Sequence, residues 1–361
     1  MRVIIVSNPF APVGSQMTVL KRNFVFLVLV FGALLSTSPL RAQEKVLNLY
    51  SSRHYNTDEA LYANFTRQTG IRINRIEAPE DALLERLRNE GSASPADVLV
   101  TVDAGRLWRA EQMGLFQPVK SAVLDARIPA ALRQPEGLWF GFSTRARIVI
   151  YSKDVVKAGD IKSYEDLADP RWKGKVCMRS SANMYNLSLM SSLIANLGEA
   201  KAEAWAKGVV ANFARDPKGG DTDQIKAIAA GECALSLVNT YYYVRMMKAA
   251  KADERAAVEK VGMVWPNQDG RGAHVNISGA GVLKYAPNRD AAVKFLEYLA
   301  SDEAQRYFAN GNNEFTVVRA VSVDNRELAS LGNFKADELN VSLFGKNQPA
   351  AQKVYDRAGW R

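Results

Sequence analysis

Short apolar runs of strand length alternate along the chain with segments whose apolar residues recur at helical spacing. The run 46–50 (VLNLY) predicts a strand. Asn56 followed by Glu59 has the form of a capping box and opens a helix with Leu61, Tyr62 and Phe65 on one face, which Gly70 stops. Residues 71–76 alternate as a second strand. Pro79 starts a helix carrying Leu83, Leu84 and Leu87, ended by Gly91, and the apolar run 97–102 predicts a third strand. A β-α-β-α-β order predicts an open, mostly parallel sheet with helices on both faces. Ligands of such sheets bind at the loops beyond the strand ends.

A second set of elements follows. Gly141-Phe142-Ser143-Thr144 reads as a crossing point and leads into a strand at 146–151. Residues 175–178 predict a strand, and 186–197 a helix with Leu187, Met190, Leu193, Ile194 and Leu197 inward. Trp205, Val209 and Phe213 recur every four residues on the next helix. Asp221 or Thr222 caps a helix bearing Ile225 and Ile228, which Gly231 closes. The strand 233–238 runs straight into Tyr241-Tyr242-Tyr243. The Gly-rich stretch 275–283 is β-like and returns to the first half, followed by a helix at 291–299. The expectation is an α/β protein of two lobes, joined by at least two crossings, with a cleft between them.

Composition narrows the class. The chain has 361 residues, 47% of them hydrophobic, with 47 basic and 38 acidic side chains and a net charge of +9. Arg2, Lys21, Arg22 and Arg41 precede residue 43, where no acidic residue occurs, so the remainder carries only +5. No long Lys/Arg run is present, which excludes nucleic acid as a partner. Lys21-Arg22, the apolar run 24–35 and the polar exit 36–42 have the order of a secretion signal. The apolar run is shorter than the roughly 20 residues that span a bilayer, although an uncleaved anchor is the alternative. Two cysteines, Cys177 and Cys233, then fall in an oxidising compartment, where an even count predicts one disulfide; two buried thiols are the alternative.

The chemistry-bearing residues are scarce in some kinds and concentrated in another. Only two histidines exist, His54 and His274, and no phosphate loop, nucleophile elbow or paired-cysteine metal motif is present. Tyrosines instead follow the predicted strands: Tyr55 beside His54 after the first, Tyr185 after the strand at 175–178, and Tyr241 to Tyr243 after 233–238. A phenolate is a hard anionic donor that suits a hard, highly charged cation. Such a cation can displace a phenolic proton at neutral pH. Ferric iron fits; zinc or copper would recruit more His or Cys, and calcium a carboxylate cluster. Tyrosines that stack on an organic ligand or pack at a hinge are equally consistent with these positions.

At these residues the chain resembles the periplasmic ferric iron-binding proteins of ABC importers, and among them the cyanobacterial type, over essentially the whole mature sequence. The resemblance rests on residues 50–58, 94–98, 169–174, 220–223, 231–242 and 276–279. Its most specific part is His54-Tyr55 with Tyr185 and the double tyrosine. It implies the two-lobed type II periplasmic binding protein fold, with a signal peptide at 1–42, lobe one in 43–143 and 274–322, and lobe two in 144–273 and 323–361. It implies Fe³⁺ as transported ligand, held by Tyr55, Tyr185, Tyr241 and Tyr242, with His54 as a fifth ligand or a hydrogen-bonding neighbour, and Tyr243 in packing. It further implies a monomer in the periplasm, without enzymatic turnover, serving an inner-membrane ABC permease. Another branch of the family places a Glu ligand at the position of Val102; Asp103 is one residue off and faces the other way. Fe³⁺ with four phenolates carries a net −1, which burial makes costly unless paired. Arg53, Arg145, Arg147 and Arg245 are the candidates to balance it, and four phenolates leave less need for an added anion. A binder of an anion or small organic solute, and an exported hydrolase using His54, are the alternative readings.

Overall fold

A computed structural model describes residues 45–361 except His54, Asn56 and Ala320. The predicted leader at 1–42, the Asn56 cap and the candidate ligand His54 lie outside the described residues. Eight strands form the framework: β1 (Val46–Ser51), β2 (Arg72–Glu77), β3 (Val98–Val102), β4 (Phe140–Ser152), β5 (Leu235–Asn239), β6 (Val261–Val264), β7 (Val275–Val282) and β8 (Phe315–Thr316). Their order is β2-β1-β3-β7-β4-β5, with β6 and β8 also paired to β4. β1 is parallel to both β2 and β3, as the β-α-β-α-β pattern predicts. β7 returns antiparallel between β3 and β4.

The crossing differs from the sequence reading. Gly141–Thr144 and the strand after it form one continuous strand, β4, of 13 residues, all of them buried. Its first half pairs with β7 and its second half with β5 and β6, so a single strand serves two lobes. Gly141 faces Gly279 across the β4–β7 pair, with a register shift just beyond. A Cβ on Gly279 would sit 2.6 Å from the Phe140 carbonyl oxygen. The two crossing strands approach too closely there for any side chain.

Two apolar cores flank this crossing. Leu47, Leu49, Phe65, Val98 and Phe295 belong to one, around β1, β3 and β7. Val149, Met178, Leu193, Trp205 and Leu237 belong to the other, around the far half of β4 and β5. The C-terminal helices touch both: Phe344 packs with Leu107 and Trp139, whereas Tyr355 and Trp360 pack with the Trp205 group. Cys177 and Cys233 form a disulfide with their Cα atoms 5.8 Å apart. The strand predicted at 175–178 shrinks to bridges at Val176, with Phe213 and Leu235. The Asn186 side-chain amide donates to the carbonyls of Arg179 and Ser180 at 3.1 Å each, which draws the chain off the sheet. Among the described residues, no helix is long and apolar enough to cross a membrane.

Candidate metal centre

Three chain segments deliver tyrosines to one place. Tyr55 lies four residues beyond the C-terminal end of β1. Tyr185 stands in the first turn of the helix Met184–Leu197, which Asn183 caps by accepting from the Tyr185 N–H at 3.1 Å. Tyr241 and Tyr242 stand in the first turn of the helix Thr240–Met247, directly after β5. Successive helical residues turn by about 100°. The third tyrosine therefore points elsewhere: Tyr243 is buried in the core and donates its hydroxyl to the Val261 carbonyl at 2.7 Å.

The other four converge. The hydroxyls of Tyr185 and Tyr241 lie 3.1 Å apart. The rings of Tyr241 and Tyr242 are 4.3 Å apart, tilted by 33°. The Arg245 guanidinium lies 5.9, 5.6 and 5.3 Å from the ring centres of Tyr55, Tyr241 and Tyr242 and so ties Tyr55 to the other pair. Tyr185, Tyr241 and Tyr242 each stand in the first turn of a helix, the end of the helix dipole that favours negative charge. Among the described residues, no three His, Cys, Asp or Glu side chains come close enough to hold a metal. The phenols are thus the grouped hard donors of the fold.

Burial favours the protonated form of Tyr55, Tyr185 and Tyr241. Tyr55 is pushed up to about 12, mainly by burial and then by the negative Glu314. Tyr185 is raised by burial and then by its neighbours Tyr242 and Tyr55. Tyr241 is raised well above the ordinary phenol by burial and then by Tyr185, Tyr55 and Tyr242. Each would ionise more easily if a cation took the place of its proton.

The four candidate arginines separate by their partners. Arg53 is buried and pairs with Asp58 at 2.9 Å and Glu314 at 3.3 Å. Arg147 is buried and donates to Asp221 at 2.7 Å. Asp221 was expected at a helix cap; instead it is buried inside the first turn and binds Arg147, Arg179 and the Asn239 N–H, while Gly220 takes the cap position. Arg145 differs from both. It is 2% exposed, its Nη1 and Nη2 make no hydrogen bond, and Asp103 stands 3.7 Å away. Its guanidinium lies 5.8 Å from the Tyr185 ring centre. Arg245 is exposed, over the tyrosine rings. Two contributors were not singled out from sequence: Arg179, 5.2 Å from the Tyr185 ring, and Glu314, buried behind Tyr55. Arg179 directly follows the apolar run 175–178 and could have been found by that position; Glu314 has no such signal, and only the tertiary fold brings it in.

Residues 60–336 match the family of bacterial extracellular solute-binding proteins. Iron uptake protein A2 of Synechocystis sp. is 54% identical over 322 residues, covering 89% of this chain and 91% of the relative. Iron uptake protein A1 of the same organism is 51% identical over 319 residues, 88% of each. A solved Trichodesmium protein (FutA), in complex with iron and citrate ligands, superposes with a TM-score of 0.85 at 54% identity, covering 88% of this chain and all of that one.

Proposed function

The chain belongs to the bacterial extracellular solute-binding proteins, and on that premise we propose that it captures ferric iron in the periplasm and passes it to an inner-membrane ABC permease. The observation that carries this reading is the convergence of Tyr55, Tyr185, Tyr241 and Tyr242, with the Tyr185 and Tyr241 hydroxyls 3.1 Å apart. Their phenolates would supply the iron's donors, and His54 a fifth ligand or a hydrogen bond to one of them. Its relatives include proteins named for iron uptake and a structure with iron bound, which supports the same cargo.

With lobe one in 43–143 and 274–322 and lobe two in 144–273 and 323–361, three of the four tyrosines come from lobe two. Iron would settle there first, and lobe one would close over it with Tyr55. The two strands between the lobes, β4 and β7, are the elements such a closure would bend. No bond in the solute is made or broken, so the protein acts by binding and closure without turnover. Iron on four phenolates would carry one excess negative charge, and Arg145, buried, without a hydrogen bond at Nη1 and Nη2 and only loosely paired with Asp103 at 3.7 Å, would help offset it, with Arg245 on the open side. Removal of the leader at residue 42 would release the chain to the periplasm, where one chain would load one ion.

Addition of ferric iron from a weak carboxylate chelator tests the reading. The expected product is orange-red, with a visible phenolate-to-iron charge-transfer band, and the double variant Tyr241→Phe, Tyr242→Phe keeps its fold and loses the band. A colourless wild-type protein would contradict iron as the cargo. Full-strength absorbance in the double variant would place the iron on other residues.

A further inference from the structure

A buried carboxylate outside the tyrosine cluster joins four elements that the cluster depends on. Asp103 follows β3 and is fully buried. Its backbone has a φ of 86°, a conformation that side-chain-bearing residues adopt at a cost and keep only where their surroundings hold them. One carboxylate oxygen, Oδ1, accepts from the Gly105 N–H at 2.9 Å, capping the helix Ala104–Gln112, and from the Ser188 hydroxyl at 2.6 Å. The other, Oδ2, accepts from the Asn276 amide of β7 at 2.9 Å and lies 3.7 Å from Arg145 Nη2 of β4. Asn276 and Arg145 are direct partners in the β4–β7 register, so both crossing strands meet this carboxylate at one level. Asn276 in turn accepts from the Ala104 N–H at 2.9 Å, which holds its amide toward Asp103.

Ser188 is the informative partner. It lies on the helix Met184–Leu197, three residues beyond Tyr185, so the two are neighbours along that helix. Asp103 thereby fastens the start of the Tyr185 helix to the end of a first-lobe strand and to both crossing strands. It also faces the guanidinium that stands beside Tyr185. A shift of Ser188 relative to Asp103 would carry Tyr185 with it, and a shift of the crossing strands would move Arg145.

We propose that Asp103, through Ser188 and Arg145, is a positioning residue that sets where the Tyr185 phenol stands in the closed cleft and so slows release of the ion. The proposal rests on the reading of the tyrosine cluster as the iron site. It assigns Asp103 no contact with iron, since both its oxygens are engaged within the protein.

The test compares wild type with Ser188→Ala, Ser188→Thr and Asp103→Asn in three measurements: the rate of iron loss to a strong chelator, the charge-transfer band of the ferric form, and the thermal midpoint of the iron-free form. Loss of a hydrogen bond to a buried carboxylate is expected to speed iron release by about tenfold in Ser188→Ala. Its band should be displaced, its iron-free midpoint should fall by no more than a few degrees, and Ser188→Thr, which keeps the hydroxyl, should restore rate and band. Asp103→Asn, which keeps an acceptor for Ser188 but sets an amide against Asn276 and Arg145, should also release iron faster. Wild-type release rate and band in Ser188→Ala would overturn the proposal, as would a lowered melting point with release unchanged. A wild-type protein that forms no band with iron would overturn the iron reading and this role together.

Discussion

A phenol that is shut away from water and surrounded by other phenols resists ionisation until a cation replaces its proton. That is the state of Tyr55, Tyr185 and Tyr241, all raised above the ordinary phenol first by burial. In the folded, iron-free protein these protons are held more tightly than in the unfolded chain. The stability this contributes is present below pH of about 10 and is lost as the pH rises through about 12, where Tyr55 ionises. Iron binding runs the opposite way, because each coordinated phenol gives up its proton. Ferric affinity is therefore expected to rise with pH across the neutral range, with one proton released per coordinated tyrosine, measurable as base uptake when iron is added to unbuffered protein. Affinity independent of pH, after correction for the competing chelator and for iron hydrolysis, would contradict phenolate coordination. The positions of these tyrosines were legible in the sequence because each comes soon after an apolar run of strand length. The state of the arginines was not. Whether Arg53, Arg145 or Arg147 is already paired depends on Asp58, Glu314, Asp103 and Asp221, three of which are far away in the chain from the arginine they meet.

At the scale of elements, the segments that carry Tyr185 and Tyr241 are stapled to one another. The disulfide joins Cys177, eight residues before Tyr185, to Cys233, eight residues before Tyr241. The Cys177 N–H donates to the Leu235 carbonyl at 2.9 Å beside it. In the chain-entropy account a cross-link over 56 residues stabilises by about 4 kcal/mol. Replacing both cysteines by serine is expected to lower the denaturation midpoint and, by loosening the two tyrosine-bearing segments, to weaken iron retention. Equal midpoints for the oxidised protein and the double variant would refute the staple. The sequence pointed to the pairing through the even cysteine count in an oxidising compartment, and the structure forms it. It misjudged the elements themselves in two places for related reasons. β4 read as a crossing followed by a strand because Gly141 and a bulge interrupt what is one continuous strand. Residues 175–178 read as a strand because they are apolar, but their hydrogen bonds are shared among Trp172, Asn212, Ala214 and Leu235 rather than forming one continuous ladder. Local composition reports burial well and hydrogen-bond partners poorly.

The whole molecule is organised around the pairing of β4 with β7. Gly141 and Gly279 let β4 and β7 cross in close contact, and the parallel set β1, β2 and β3 presents its C-terminal loops to one side. Two lobes with a cleft were legible because the alternation of strands and helices is interrupted once, at the crossing, and then resumes. The C-terminal helices that pack on both cores were not, since their apolar residues show which face is buried but not against which lobe. The account as a whole predicts that iron lies where these loops meet. A crystal structure of the iron-loaded protein, with anomalous diffraction recorded at the iron absorption edge, tests that most directly. The predicted result is a single anomalous peak bonded to the phenolic oxygens of Tyr55, Tyr185, Tyr241 and Tyr242; a peak elsewhere on the protein, or bonded to none of these oxygens, would contradict it.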